Sequence, residues 1–268
     1  MISDSDQADV GVYRENGVLR LRLQCPQRRN SLSHEMMATL IGAIENAPDD
    51  ESIRVILIEG EGDHFCGGAD WVAINATDKR PRTGAMTRRL PRQAHRLIPA
   101  LLRVQLPIVC SIRGWAAGIG CHLALASDFA IAGESARFWE PFAKRGFTPD
   151  SGGTWLLPRL IGLARAKEML LLGREVGARQ AEEWGLIHRC VPDADLETST
   201  RELVEELATA ATTAVGLTKW AVQSSLQLDL EHALANEGFT MELSSRSLDF
   251  KEGLAAFRDK RAPRFEGR

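Results

Sequence analysis

No stretch of this chain is apolar for long enough to cross a bilayer, which takes about 20 consecutive apolar residues. The opening segment MISDSDQADV is acidic where a secretory signal is basic and then apolar. A cytoplasmic location is therefore expected. A basic excess is missing as well. The formal net charge is −3 with 26% charged residues, so nothing suggests the electrostatic footprint of a nucleic-acid or membrane-surface protein. Cysteine is scarce: five scattered residues, Cys25, Cys66, Cys110, Cys121 and Cys190, include no C-x-x-C pair. That pattern argues against a disulfide framework and a zinc site, so reduced, mostly buried thiols and no metal are expected. The phosphate-loop pattern and a strict G-x-G-x-x-G are also absent, which removes the common nucleotide-binding readings. Internal repeats and low-complexity tracts are not found.

What is present suits a sizeable core, with 268 residues and 44% hydrophobic content, enough for one large domain or a domain with an appendage. The first half alternates strand-like and helix-like pieces. GVLRLRLQCP has period two, SLSHEMMATLIGAIENAP has helical periodicity behind a serine, and SIRVILIEGEG is a β-branched run ending in glycines. LPIVCSIRGWAAG reads as a buried strand, GCHLALAS as a short helix and DFAIAGESARF as a strand entering a turn. Together these predict an α/β core whose strands aim their carboxyl ends at glycine-rich loops, where open α/β sheets bind ligands. Beyond Thr154 the segments read mainly as amphipathic helices. Such a region suits covering the core or pairing with another subunit. The polar, basic, proline-broken stretch 75–96 reads as a mobile loop leading into a helix.

Two glycine-rich turns stand out together, HFCGGADW (64–71) after the strand RVILIEG and RGWAAGIGCH (113–122) after PIVCSI. Small residues let a ligand approach the backbone, and a following helix start offers unpaired N–H donors at a favourable dipole end. Two such turns aimed at one oxygen would stabilise an oxyanion without reorganisation.

HFCGGADW, SIRGWAAGIGCHLALASDFAIA, ARFWEPFAKRGFTPDSGGTWLLPRLIG, ARQAEEWGLIHRCVP and FRDKRAPRF follow one another in the order of the landmarks of the crotonase superfamily, the enoyl-CoA hydratase/isomerase family, which the chain resembles from about residue 10 to its end. The resemblance implies a spiral core of ββα turns over 1–195 carrying the acyl-CoA site. It also implies a helical carboxyl-terminal trimerisation region over 196–268, and a homotrimer or dimer of trimers. The substrate class is acyl-CoA thioesters, with coenzyme A part of the substrate and no separate cofactor. It assigns the backbone N–H groups of Ala69 and Ile119 to the thioester oxygen. Arg28 and Arg29 in QRRNSL, Asp70 and Lys260 fall to CoA contacts.

The departures from the family pattern point to the chemistry. Hydratases of the family use two glutamates that share a water, and the matching positions here hold His122 and Phe142. Phenylalanine moves no proton. Glu140 lies two residues before Phe142, a spacing that in a strand displaces its carboxylate by about 6–7 Å. Asp150, in TPDSGGTW, is either a turn or cap residue or, as the resemblance to ring and double-bond isomerases and to a dehalogenase implies, the group beside the acyl chain. Phe138, Trp139, Phe142, Phe147 and Trp155 are expected to wall it. His122 is a candidate second proton carrier, a positioning group or a satisfied core histidine. His95 reads as a solvated helical histidine, and His34, His64, His188 and His232 as structural. The favoured reaction is enoyl-CoA double-bond isomerisation with Asp150 as base and His122 as partner. Hydration by His122 and Asp150, hydrolysis or dehalogenation through Asp150, and silent acyl-CoA binding are the alternatives.

Overall fold

The first hairpin turns at Asn16-Gly17, both at positive φ (51° and 81°), the backbone that a tight two-residue hairpin demands. It joins β1 (Val10–Glu15) to β2 (Val18–Leu23). β1 escaped the sequence reading because only its first two residues are buried, leaving no alternation to detect. The computed structural model describes residues 9–70 and 83–268. The acidic opening segment up to residue 8, Trp71 and the 75–82 part of the expected loop lie outside the described residues.

Next come α1 (His34–Glu45), β3 (Val55–Gly60), α2 (Ala85–Arg89), α3 (Ala94–Arg103), β4 (Ile108–Ile112), β5 (Trp115–Ala117), α4 (Ile119–Ala126), β6 (Phe129–Gly133) and β7 (Arg137–Trp139). They are followed by α5 (Gly153–Leu172), β8 (Glu175–Gly177), α6 (Ala178–Trp184), β9 (Arg189–Val191), α7 (Leu196–Ala208), α8 (Thr212–Ser225), α9 (Leu230–Ser244) and α10 (Leu248–Asp259). Ser33 caps α1 by accepting the Met36 N–H. The larger sheet runs β1-β2-β3-β4-β6-β9, parallel except for the β1–β2 pair. A smaller sheet, β5-β7-β8, lies beside it, extended by single bridges Leu32↔Ala69 and Cys66↔Ala116. Successive passes of the chain thus feed one sheet, then the other, then a helix. This is the expected α/β, crotonase-like ββα spiral.

One expected strand divides. LPIVCSIRGWAAG supplies β4 to one sheet and β5 to the other, because the chain swerves at Gly114 (φ 54°), where a Cβ would lie 2.1 Å from the Asp63 carbonyl oxygen. The main core, which includes Leu21, Leu40, Ile58, Leu97 and Leu123, lies under α1, α3 and α4. The opposite sheet face is covered by α7, whose Val204 packs on Val55, Leu57 and Val109.

The carboxyl-terminal helices are tied to this core by a buried cation. Lys219 of α8 donates to the carbonyls of Leu101 (2.9 Å) and Leu106 (3.0 Å) and to Asp128 Oδ2 (2.7 Å). Asp128 also accepts the Ile108 N–H (2.8 Å) at the start of β4. Beyond α8, apolar side chains are left in solvent, including Leu230, Phe239 and Leu254, with Phe257 86% exposed.

The chain end is clasped back on α10. Arg261 meets both oxygens of Glu252 (2.6 and 2.9 Å), and the Arg264 N–H donates to one of them (2.7 Å). These partners, the Arg261 hydrogen bond foremost, pull the Glu252 pKa down to about 2. A depressed carboxylate pKa means that the clasp is complete above about pH 4.5, the ordinary value for glutamate, and is lost as pH falls through about 2. NMR titration of the Glu252 carboxyl should give a midpoint near 2, and Arg261→Ala should return it toward the ordinary value.

Candidate active site

β3 and β4 are neighbours in the sheet, so the glycine-rich loops that follow them emerge side by side. Backbone bonds lock them together: the Cys66 N–H donates to Trp115 O (2.9 Å) and the Ala117 N–H to Cys66 O (3.0 Å). The contact tolerates no side chain at Gly120, where a Cβ would fall 2.5 Å from Cys66 O. Gly118 takes φ 51°, ψ −122°, a backbone that glycine alone adopts readily, and donates its N–H to Trp139 O (2.8 Å). Ile119 is then the first residue of α4, with its N–H outside the helical ladder. Among the described residues, no backbone acceptor engages the N–H of Ala69 or of Ile119. Both residues line a cavity of about 20 Å³ with Phe142, Arg145, Phe147 and Asp150, room for about one oxygen-sized group. Cys66 and Cys121 border this region as free thiols, with Cys66 pushed up to about 12 by burial. The Cys121 thiol is raised well above its usual range by burial and then by the Glu140 charge. Both are neutral at physiological pH and poor nucleophiles.

Asp150 is half-buried and is the one carboxylate among the described residues lining that cavity. Its side chain makes no hydrogen bond or ion pair among the described residues. It does not cap α5, whose N-cap is Gly152 (φ 99°) with no side-chain cap. His95 is exposed on α3, as read from the sequence, and its Nε2 donates to the Asp150 carbonyl oxygen (2.9 Å). The aromatic wall is narrower than expected. Phe142 and Phe147, edge to face at 5.3 Å, line the cavity. Phe138 is wholly buried, and Trp155 faces a separate cavity of about 790 Å³ between α3, α5 and α8.

His122 requires a correction. It is 0% exposed and absent from the cavity wall, because both ring nitrogens are engaged inside the protein. Nδ1 lies 2.7 Å from Ser151 Oγ, and Nε2 lies 3.1 Å from the Glu140 carboxylate. It is not positioned to pass protons to a substrate. The Phe142 ring lies parallel to it at 6.0 Å. Glu140, set aside in the sequence reading, is also 0% exposed. It lies just past β7, where the strand spacing no longer applies. A lone carboxylate in WEPF and a lone imidazole in an apolar helix were the available signal, since buried polar groups need partners.

The basic residues divide. Arg28 binds Asp70 (2.7 Å) and Asp9 (2.9 Å), and Asp70 is buried. These bonds tie the 25–32 loop to the first glycine-rich turn, while Arg28 itself stays exposed. Asn30 reinforces this tie through the Glu61 and His64 carbonyls. Arg29 stays exposed at the same loop. Lys260 ends α10 in a left-handed conformation and is not among the residues lining the cavity.

Paired turns with two free backbone amides are an arrangement suited to holding an oxygen on which charge develops. The enoyl-CoA hydratase/isomerase family model matches residues 13–268, and the chain belongs to that family. It is 40% identical over 256 residues to the 1,2-epoxyphenylacetyl-CoA isomerase of Escherichia coli K12, covering 95% of this chain and 97% of that protein. It is 34% identical over 269 residues to the 2,3-dehydroadipyl-CoA hydratase of the same organism, covering 97% and 100%. The crystal structure of an enoyl-CoA hydratase from Bacillus anthracis superposes with a TM-score of 0.90 at 32% identity, covering 97% of this chain and all of that one. Among the described residues no helix is long and apolar enough to cross a membrane.

Proposed function

We propose that the protein moves a double bond in an enoyl-CoA ester. The thioester oxygen accepts the N–H groups of Ala69 and Ile119. Asp150 takes a proton from the acyl chain, the resulting enolate is held by the two amides, and Asp150 returns the proton at another carbon. The observation that carries this reading is a single unpaired carboxylate sharing one small cavity with both amides. Hydration by His122 and Asp150 is not supported, because the imidazole has no exposed surface on which to hold a water. Arg28 and Arg29, both exposed on the 25–32 loop, are the candidates for CoA phosphates. The exposed apolar side chains of α9 and α10 support a homotrimer or a dimer of trimers, with 196–268 as the assembling region and Lys260 at its edge.

Matched 2-enoyl- and 3-enoyl-CoA esters incubated with the protein in D₂O and read by mass spectrometry test the reaction. Interconversion of the two with no added water is expected, and deuterium enters the acyl chain as the half-buried Asp150 carboxyl exchanges its proton with solvent. Net gain of a water would replace isomerisation by hydration. Release of free CoA would point to hydrolysis, and tight binding without any change would mark a silent binder.

A further inference from the structure

Three polar side chains behind the cavity wall are almost sealed from solvent: His122 and Glu140 at 0% exposure and Ser151 at 2%. They form a chain from Glu140 through both nitrogens of His122 to Ser151 Oγ. Burying a carboxylate and an imidazole is costly compared with an apolar pair of similar size, so the fold alone gives no reason for them. Their location supplies one. Ser151 is bonded in sequence to Asp150, and the Asp150 carbonyl is held from the other side by His95 Nε2 (2.9 Å). The peptide joining Asp150 to Ser151 is therefore pinned at both ends while the Asp150 carboxylate is left without a partner. The imidazole at the centre is itself immobile. Phe142 covers one face, with the rings 8° from parallel, and Gly153 closes in so tightly that a Cβ there would fall 2.4 Å from Nε2. Glu140 holds the ring in turn, with both carboxylate oxygens 3.1 Å from Nε2.

We propose that Glu140, His122 and Ser151 are positioning residues, a buried clamp that fixes the Asp150 loop so that the carboxylate faces the cavity bounded by Ala69 and Ile119. This rests on the assignment of Asp150 as the base. The clamp acts through Asp150, and none of its three residues lines the cavity that holds the two amides, so its effect falls on kcat rather than on KM, because uniform binding is untouched while the proton-transfer geometry is lost.

The test is a cycle of Ser151→Ala and Asp150→Asn, assayed with the 2-enoyl- and 3-enoyl-CoA esters, with crystal structures of the wild type and Ser151→Ala alongside. Ser151→Ala is expected to lower kcat about tenfold with KM within about twofold. Ser151→Thr, which keeps the hydroxyl, should restore most of it. In the Asp150→Asn background Ser151→Ala should cost nothing further, since residues acting as one unit are non-additive. In the crystal the Asp150 carboxylate should be displaced from its wild-type position. An unmoved Asp150 in Ser151→Ala, or an equal loss in both backgrounds, overturns the clamp and leaves the base assignment standing. Full activity in Asp150→Asn overturns the base assignment and the clamp with it. Should Ser151→Ala not accumulate folded, Glu140→Gln reads the other arm, with the same kcat and structural outcomes expected.

Discussion

Asp150→Asn is expected to lower enoyl-CoA turnover by about 10²–10⁴-fold, the usual contribution of a positioned general base. The amide matches the carboxylate in size, so the cavity formed with Phe142, Phe147 and the two glycine-rich turns keeps its shape, and the His95 bond to the backbone carbonyl is unaffected. What changes is the capacity to accept a proton. Binding of a non-reacting acyl-CoA, measured by calorimetry, should therefore stay close to wild type while kcat falls. Deuterium exchange into the acyl chain should fall in parallel, because it passes through the same enolate. A loss of only a few-fold would return Asp150 to the role of a turn residue.

Lys219→Met should destabilise the protein by about 3–5 kcal/mol, the range for removing one partner of a buried ion pair. Lys219 is 8% exposed. Its ammonium satisfies two carbonyls at the carboxyl end of α3 and beyond it, as well as Asp128. Burial is the first cause that lowers the Lys219 pKa and raises that of Asp128, each opposed by the attraction of the other. The pair is thus held under strong desolvation, and methionine would strand the Asp128 carboxylate and both carbonyls. Denaturant unfolding measures the loss. The double variant Lys219→Met/Asp128→Leu should recover part of it, because an apolar pair avoids the uncompensated charge. Equal stability of Lys219→Met and wild type would show that α8 is held by its apolar contacts alone.

Much of the architecture was legible in local sequence. Ser33 caps α1 as its position before an amphipathic run predicts, and the alternation of Leu19, Leu21 and Leu23 with Arg20 and Arg22 marks a half-buried strand. The two glycine-rich turns were legible because each must let a backbone pass close to another atom. That need shows in Gly68, whose Cβ would meet the Ala117 carbonyl at 3.1 Å, and in Gly120 against Cys66. β1 and the division of residues 108–117 between two sheets were not legible. Sparse burial hides the first, and the second depends on what surrounds Gly114.

The side chains around the cavity show the same divide. Sequence alone determined an alternation of strands and helices, the two glycine-rich turns, and Asp150 as a carboxylate in a loop before a helix, because each depends on residues close together in the chain. Whether His122 faces the substrate or the interior was decided only by the tertiary structure. Its partners come from 18 and 29 residues away, and a hydrogen bond between such positions exists only after β7 and the start of α5 have been packed against α4. For the same reason Arg28, which reads locally as a free cation, is engaged by Asp70, 42 residues on. A side chain's charge is written in the sequence, but whether that charge is available depends on which distant groups folding brings within reach.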